Sequence, residues 1–310
     1  MKESIKVFAP ATVANVTCGF DILGFAVAQP GDELVLTKSD LPKVRITKVT
    51  GDQGKLPTET NKNTASVAVQ KYLDHIGSDQ GLEITLHKKM PLGSGLGSSA
   101  ASSVAGVFAA NQLLGQPLSN KDLLPFAMEG ERVACGAAHA DNVAPALLGG
   151  FALVRSYEPL DVVKIPTPLE LYATLIYPQI NIATRDARDI LKKQILLGEA
   201  VKQWGNVAGL MAGLMQSDYD LISRSMEDVI IEPTRSILIP GFDQVKNNAL
   251  EAGALGAGIS GSGPSLFALS RSREVAIAVG DQMTRGFDSF EIESELFISE
   301  INQSGPLILD

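Results

Sequence analysis

The sequence predicts an α+β protein of two domains, residues 1–165 and 166–310. Three observations carry that expectation. The 310 residues suit two domains at roughly 100–200 residues each. Strand-like and helix-like runs mix in both halves, without the regular alternation of a doubly wound sheet. The segment SYEPLDVVKIPTPLE, with three prolines, reads as a junction between folded units. Apolar residues make up 45% of the chain, enough for a real core and too many for a disordered chain.

Taken in order, β-type runs occupy 5–9, 33–37 and 44–49. A helix begins at Thr64, with Ala65, Ala68, Val69, Tyr72, Leu73 and Ile76 on one face at helical spacing. Residues 82–88 alternate as a strand does, a Gly/Ser loop fills 91–99, and a small-residue helix runs to Gly115 and Pro117. Ser119 and Asp122 have capping-box spacing and open a second helix. Beyond a strand at 149–156 the reading gives a strand at 169–177, helices through 184–227 and near 243–252, a strand at 266–270, a helix at 274–285 and a closing strand at 290–299.

With 35 acidic against 26 basic side chains the net charge is −9, which argues against nucleic acid or an anionic membrane as main partner. The two cysteines, Cys18 and Cys135, lack CxxC spacing, which excludes a disulfide scaffold and a thiolate zinc site. Residues 90–120 carry no charge, yet a membrane helix of that length would be rich in Leu, Ile, Val and Phe rather than Gly, Ser and Ala. The first residues have no apolar signal-peptide core, so a cytoplasmic location is expected.

The strongest local signal is Pro91-Leu92-Gly93-Ser94-Gly95-Leu96-Gly97-Ser98-Ser99-Ala100-Ala101. Its glycines let the backbone take positive φ and approach a ligand closely. The serines then stand at a helix start, where unpaired N–H groups and the dipole favour phosphate. The bland alternative is a Gly-rich turn with Ser98 as an ordinary N-cap. No Lys comes after the last glycine, so this is not a Walker A loop, and its spacing is not that of a protein-kinase loop. A second cluster, Gly256 to Ser265, contains GxGxxG with Asp281 downstream. It runs into Pro264 and a strand-like segment where a dinucleotide fingerprint needs a helix, so it reads as a tight loop brought against the first.

These motifs resemble those of the GHMP kinases, which include galactokinase and mevalonate kinase. PLGSGLGSSAA is similar to their phosphate loop and GISGSGPS to their third motif. The likeness is closest to the homoserine-phosphorylating branch. PATVAN (10–15) leading to Gly19-Phe20-Asp21, HADNVAP (139–145), TRDAR (184–188) and EPTR…PGF (232–242) resemble segments of that branch. The resemblance implies a ribosomal protein S5 domain 2-like N-terminal domain and a ferredoxin-like C-terminal domain. It also implies Mg²⁺ and ATP as cofactors, L-homoserine as acceptor in threonine biosynthesis, and a homodimer.

For sites, the resemblance implies loop residues 91–101 on the phosphates, and Ser99 with Glu131 on Mg²⁺, while nearby Glu129 is a surface acid. Asn61 and Asn63, with Lys88 or Lys89, are the candidates near the adenine. On the acceptor, Arg188 and Arg235 would grip the carboxylate as planar forks and Asp21 the ammonium. Asn15, His139, Thr184 and Gly261 complete the set, and Arg185 is expected to be a surface charge. Asn142 stands where other GHMP kinases have a base Asp, so Asn142, Asp21 and Arg235 are expected to act by positioning and electrostatics, with Asp141 the competing base. Two other functions stay open at this point: a GHMP kinase of a mevalonate-like or sugar-like alcohol, and a non-catalytic binding relative.

Overall fold

A computed structural model describes residues 3–136, 139–182 and 184–309. The first sheet begins with β1 (Ser4–Ala14) and β2 (Leu23–Ser39), two long antiparallel strands with a register shift between Pro10 and Thr12. It continues through β3 (Val44–Thr50), α1 (Thr64–Ile76), β4 (Gly81–His87), α2 (Ser98–Leu113), α3 (Leu124–Cys135), α4 (Ala140–Leu148), β5 (Phe151–Tyr157) and β6 (Leu160–Ile165). The far half of β2 pairs with β4, its near half with β5, and β3 lies parallel to β4.

Helix α2 accounts for the uncharged stretch. Its Ala, Gly and Ser side chains are buried nearly all round, against β1 and β2 on one side and α1 and α3 on the other. Small residues let three layers approach closely, and a helix apolar on every face belongs in a core. Asn63 caps α1 by accepting from Ala65 N–H. The Ser119–Asp122 reciprocal pair forms as expected, but a 3₁₀ turn at 121–123 intervenes and α3 starts only at Leu124.

The second unit contains β7 (Tyr172–Pro178), α5 (Thr184–Asp189), α6 (Leu197–Gln216), α7 (Tyr219–Ser225), α8 (Glu232–Arg235), α9 (Phe242–Glu251), β8 (Gly256–Ile259), β9 (Leu266–Ser270), α10 (Arg273–Asp288) and β10 (Ser294–Glu300). Its four strands lie antiparallel in the order β10-β7-β9-β8, the split βαβ arrangement of ferredoxin-like domains. The chain then returns, and β11 (Leu307–Ile308) pairs with β1. Strands β1 to β6 and β11 thus build the first sheet, and β7 to β10 the second.

One segment differs from expectation. SYEPLDVVKIPTPLE is not a connector throughout, because residues 160–165 form β6 and pair in register with β5. Pro159 sits in the hairpin turn, while Pro166 and Pro168 fall beyond the strand's end, the positions a sheet tolerates. Among the described residues no helix is long and apolar enough to cross a membrane.

Candidate active site

The phosphate loop spans the gap between β4 and α2, and backbone fixes it from both sides. Thr12 N–H donates to Leu96 O at 3.1 Å. From the second unit, Ser265 N–H donates to Ser94 O at 3.1 Å and Ser260 Oγ to Gly95 O at 2.8 Å. The two glycine clusters therefore meet, as the sequence suggested. Gly97, the N-cap of α2, has φ +68, and a Cβ there would stand 2.0 Å from Thr12 Oγ1. Gly95 has φ +81, and its Cβ would stand 2.6 Å from Ser260 O. Neither position admits a side chain. No side chain caps the first turn of α2, because Ser98 Oγ turns away and donates to Asp32 Oδ2 at 2.9 Å. The ordinary N-cap reading of Ser98 is thereby set aside, and the helix presents its first amides to the cleft.

Next to these amides, Ser99 Oγ donates to Glu131 Oε2 at 3.0 Å, while Glu131 Oε1 is buried without a hydrogen-bond partner. Burial pushes the Glu131 carboxyl up to about 7. Glu129, two residues earlier, pairs with Arg132 in solvent, the surface role expected of it.

Across the cleft, Asn15 and Asp21 both adopt left-handed backbone, with φ 57 and 58. Asn15 ties that turn together, accepting from Asp21 N–H at 2.8 Å and donating to Gly261 O at 2.8 Å. Arg188 grips the Asp21 carboxylate with both arms, Nη2 to Oδ1 at 2.9 Å and Nη1 to Oδ2 at 3.2 Å. Its Nη2 also donates to His139 Nε2 at 3.3 Å. Burial, with the Arg188 charge adding, holds the His139 pKa below the usual histidine value despite nearby Asp21, so the ring is a neutral hydrogen-bonder. Arg235 is only 4% exposed. It donates from Nε to Ala187 O and from Nη1 to Gly261 O, at 2.9 and 3.1 Å, and its guanidinium lies 4.9 Å from the Phe20 ring centroid. Asn142 Oδ1 accepts from Thr12 Oγ1 at 2.8 Å, which leaves the amide NH₂ as its donor. Asp141 is 2% exposed with Oδ1 unpartnered, and burial, with the Asp21 charge adding, pushes its carboxyl up to about 7.

Asn15, Asp21, Glu131, His139, Asp141, Asn142, Arg188, Arg235 and Gly261 line one cavity of about 480 Å³, shared with Gly93 to Gly95 and Gly97 to Ser99. The side chains of Thr184 and Arg185 lie outside the described residues.

Several of the expected site residues make their contacts within the protein. Lys88, at the edge of the cavity, donates to Asp32, to Ser98 O and to Ser102 Oγ, so its three ammonium protons have acceptors within the protein. Lys89 pairs with Glu33 in solvent. Asn63 spends its amide on capping α1 and on Pro57 O. Leu96, Ala100 and Ala101 are fully buried and offer backbone only. Gly261 donates its N–H to Ala14 O and accepts from both Asn15 and Arg235, which makes it a strut beneath the acceptor wall. Reading by sequence missed Thr12 as the orienter of Asn142, Phe20 beneath the guanidinium, and the apolar end of the cleft at Leu56, Pro57, Val133 and Ala134. It also missed Asp32, although Asp32 is in phase with buried Leu34 and Leu36 along β2, a parity that marks an inward-facing acid.

Comparison with known proteins identifies the family. The GHMP kinases N terminal domain model matches residues 63–150 and the GHMP kinases C terminal model residues 210–289. A homoserine kinase of Chlorobium phaeobacteroides (strain BS1) is 50% identical over 320 residues, covering 99% of this chain and 100% of that one. The crystal structure of homoserine kinase from Cytophaga hutchinsonii superposes with TM-score 0.97 at 64% identity, covering 100% and 98% of the two chains. The chain belongs to the homoserine kinases of the GHMP family. Membership implies ATP as phosphoryl donor and removes the non-catalytic alternative. The mevalonate kinase of L. major in complex with R-mevalonate, at TM-score 0.74 and 17% identity over 97% and 98% of the chains, shares the fold alone.

Proposed function

We propose that the chain transfers the γ-phosphoryl group of ATP to the side-chain hydroxyl of L-homoserine, in the cleft between the phosphate loop and the Asp21–Arg188 wall. The observation that carries this reading is the paired charge opposite the loop. Asp21 and Arg188 neutralise one another, with Arg235 buried behind them. A zwitterion exchanges that one pair for two, its ammonium meeting Asp21 and its carboxylate shared by Arg188 and Arg235. A sugar offers neither charge, and a mevalonate-like acid offers no ammonium for Asp21.

The first amides of α2 and the loop N–H groups would hold the β- and γ-phosphates. Ser99 and Glu131 fit Mg²⁺: both give oxygen, Glu131 Oε1 is buried and unpartnered, and Mg²⁺ takes few protein ligands beside phosphate and water. When bound, Mg²⁺ supplies charge neutralisation at the β- and γ-oxygens. Arg188 and Arg235 would fix the acceptor carboxylate, Asp21 its ammonium, and the Asn142 NH₂ the hydroxyl, with Thr12 holding the amide in orientation. An amide takes no proton near neutral pH. The reaction therefore rests on positioning and electrostatics, and the hydroxyl proton leaves late to phosphate or solvent, as a loose transition state permits.

The test is ADP release in a coupled assay over a panel of alcohols with Mg²⁺ and ATP. L-homoserine should give the highest kcat/KM. Faster turnover of mevalonate or galactose would overturn the proposal.

A further inference from the structure

The phosphate loop, residues 91–97, holds three glycines at positive φ, so its own sequence gives it little stiffness. Its surroundings supply the stiffness instead. We propose that Asp32 and Lys88 are positioning residues that clamp the two ends of this loop and so set the affinity for the triphosphate. This rests on the nucleotide half of the reading above.

Asp32 is fully buried and the Lys88 side chain is 1% exposed. The Asp32 carboxylate receives Lys88 Nζ, Lys89 N–H at 2.7 Å and Met90 N–H at 3.2 Å, all just before the loop. It also receives Ser98 Oγ at 2.9 Å, the first residue after it. Lys88 in turn donates to Ser98 O at 2.7 Å and Ser102 Oγ at 2.8 Å, which fixes the first turn of α2. One carboxylate therefore bolts both ends of a seven-residue loop to β2, and one ammonium anchors the helix whose amides face the phosphates. Stability alone does not explain such a pair, since a buried ion pair often contributes no more than apolar residues of the same volume. Preorganisation does: amides already held in place need no ordering when the anion arrives. The pair is neutral as a unit, so the clamp fixes the geometry of the amides without adding net charge.

The experiment compares the parent with Asp32→Asn, Lys88→Met and the double variant. The non-hydrolysable analogue AMP-PNP with Mg²⁺ is titrated by calorimetry without acceptor, and KM is measured separately for ATP and for homoserine. Each single variant should raise the analogue Kd and the ATP KM on the order of 10–100-fold, the size of effect seen when supporting partners of a site are removed. The double variant should be no worse than the weaker-binding single, because the two residues act as one unit. Homoserine KM should stay within about threefold, as nothing in the clamp touches the acceptor wall.

A rise in ATP KM for Lys88→Met with Asp32→Asn unchanged would mean that Lys88 touches phosphate directly, and would overturn the proposal. So would unaltered analogue affinity with a lowered melting temperature, or an equal rise in both KM values. Should a single variant not fold, Ser102→Ala removes one Lys88 acceptor without stranding a charge. It should raise ATP KM a few-fold with homoserine KM unchanged, and no change in either overturns the clamp. A parent protein that binds AMP-PNP but does not phosphorylate homoserine defeats the proposed acceptor and leaves the clamp intact. A parent that binds no AMP-PNP defeats both.

Discussion

The two walls of the cleft are built by opposite means. On the phosphate side nearly every group aimed at the ligand is main chain, delivered by one contiguous run and tied down by Thr12, Ser260, Ser265, Asp32 and Lys88. On the acceptor side every such group is a side chain, brought from four separated segments at 15–21, 139–142, 188 and 235, and the charges are satisfied by one another. The difference teaches what each ligand demands. A polyphosphate is a diffuse anion that any converging set of amides recognises. An amino acid is a small zwitterion whose opposite charges must be met at fixed points.

That contrast can be broken most severely at Arg235. Arg235→Ala removes the buried cation of the acceptor wall, takes from Gly261 O one of its two donors and from the Phe20 ring its nearer guanidinium. Losing one arm of a desolvated Arg–carboxylate pair costs about 2–5 kcal/mol. The expected outcome is a fall on the order of 10²–10³ in kcat/KM for homoserine, with AMP-PNP affinity unchanged by calorimetry. Arg235→Lys should not restore it, since an ammonium cannot make the forked contacts to Ala187 O and Gly261 O. A comparable loss of nucleotide affinity would show that the walls are not separable.

Gly97 is the point where they touch. Gly97→Ala adds a Cβ 2.0 Å from Thr12 Oγ1 and 2.9 Å from Asn142 Oδ1, and an L-residue at φ +68 carries a further strain of about 1–2 kcal/mol. Displacing Thr12 releases the Asn142 amide, so KM for both substrates should rise by about 10-fold or more. Gly93→Ala is the matched control, because Gly93 also has positive φ but its Cβ would meet nothing within 4 Å. Equal effects of the two variants in steady-state kinetics would deny the Thr12–Asn142 link between the walls.

The same contrast explains what was legible in advance. The phosphate loop could be read because its conformational demand falls on consecutive residues, and the meeting of the two glycine clusters came from their shared need for close backbone approach. The helical face of α1 came from periodicity. Hairpin β5–β6 did not, because three prolines outweighed a short strand whose ends they merely flank. Arg188 and Asp21 came from resemblance to a family, and no local pattern announces that they pair across 167 residues. Lys88 reads in sequence as a candidate near the adenine, with Lys89 as its alternative, because nothing local shows an internal partner for it. Only the parity of Asp32 with Leu34 and Leu36 hinted that a buried acid awaited it.

Asp141 gives the smallest and most discriminating effect. Its carboxyl is raised from 3.8 to about 7, chiefly by burial, with Asp21 adding and Arg188 opposing, and Tyr157 stands nearby. The folded protein therefore keeps a proton that the unfolded chain gives up near pH 4. Stability from this group is fully present below that pH and is lost as pH rises toward about 7. Asp141→Asn is neutral throughout, so its melting temperature relative to the parent should improve between about pH 4 and pH 7 and level off above. A base acting at Asp141 would instead make kcat climb with ionisation near pH 7 and fall about 10²-fold or more in the variant. With Asn142 only orienting the hydroxyl, kcat should change less than about 10-fold and keep its pH profile. A stability gain at high pH without a matching loss of turnover would show that the acceptor wall holds this carboxyl in its neutral form, and that Asp141 does not take the proton.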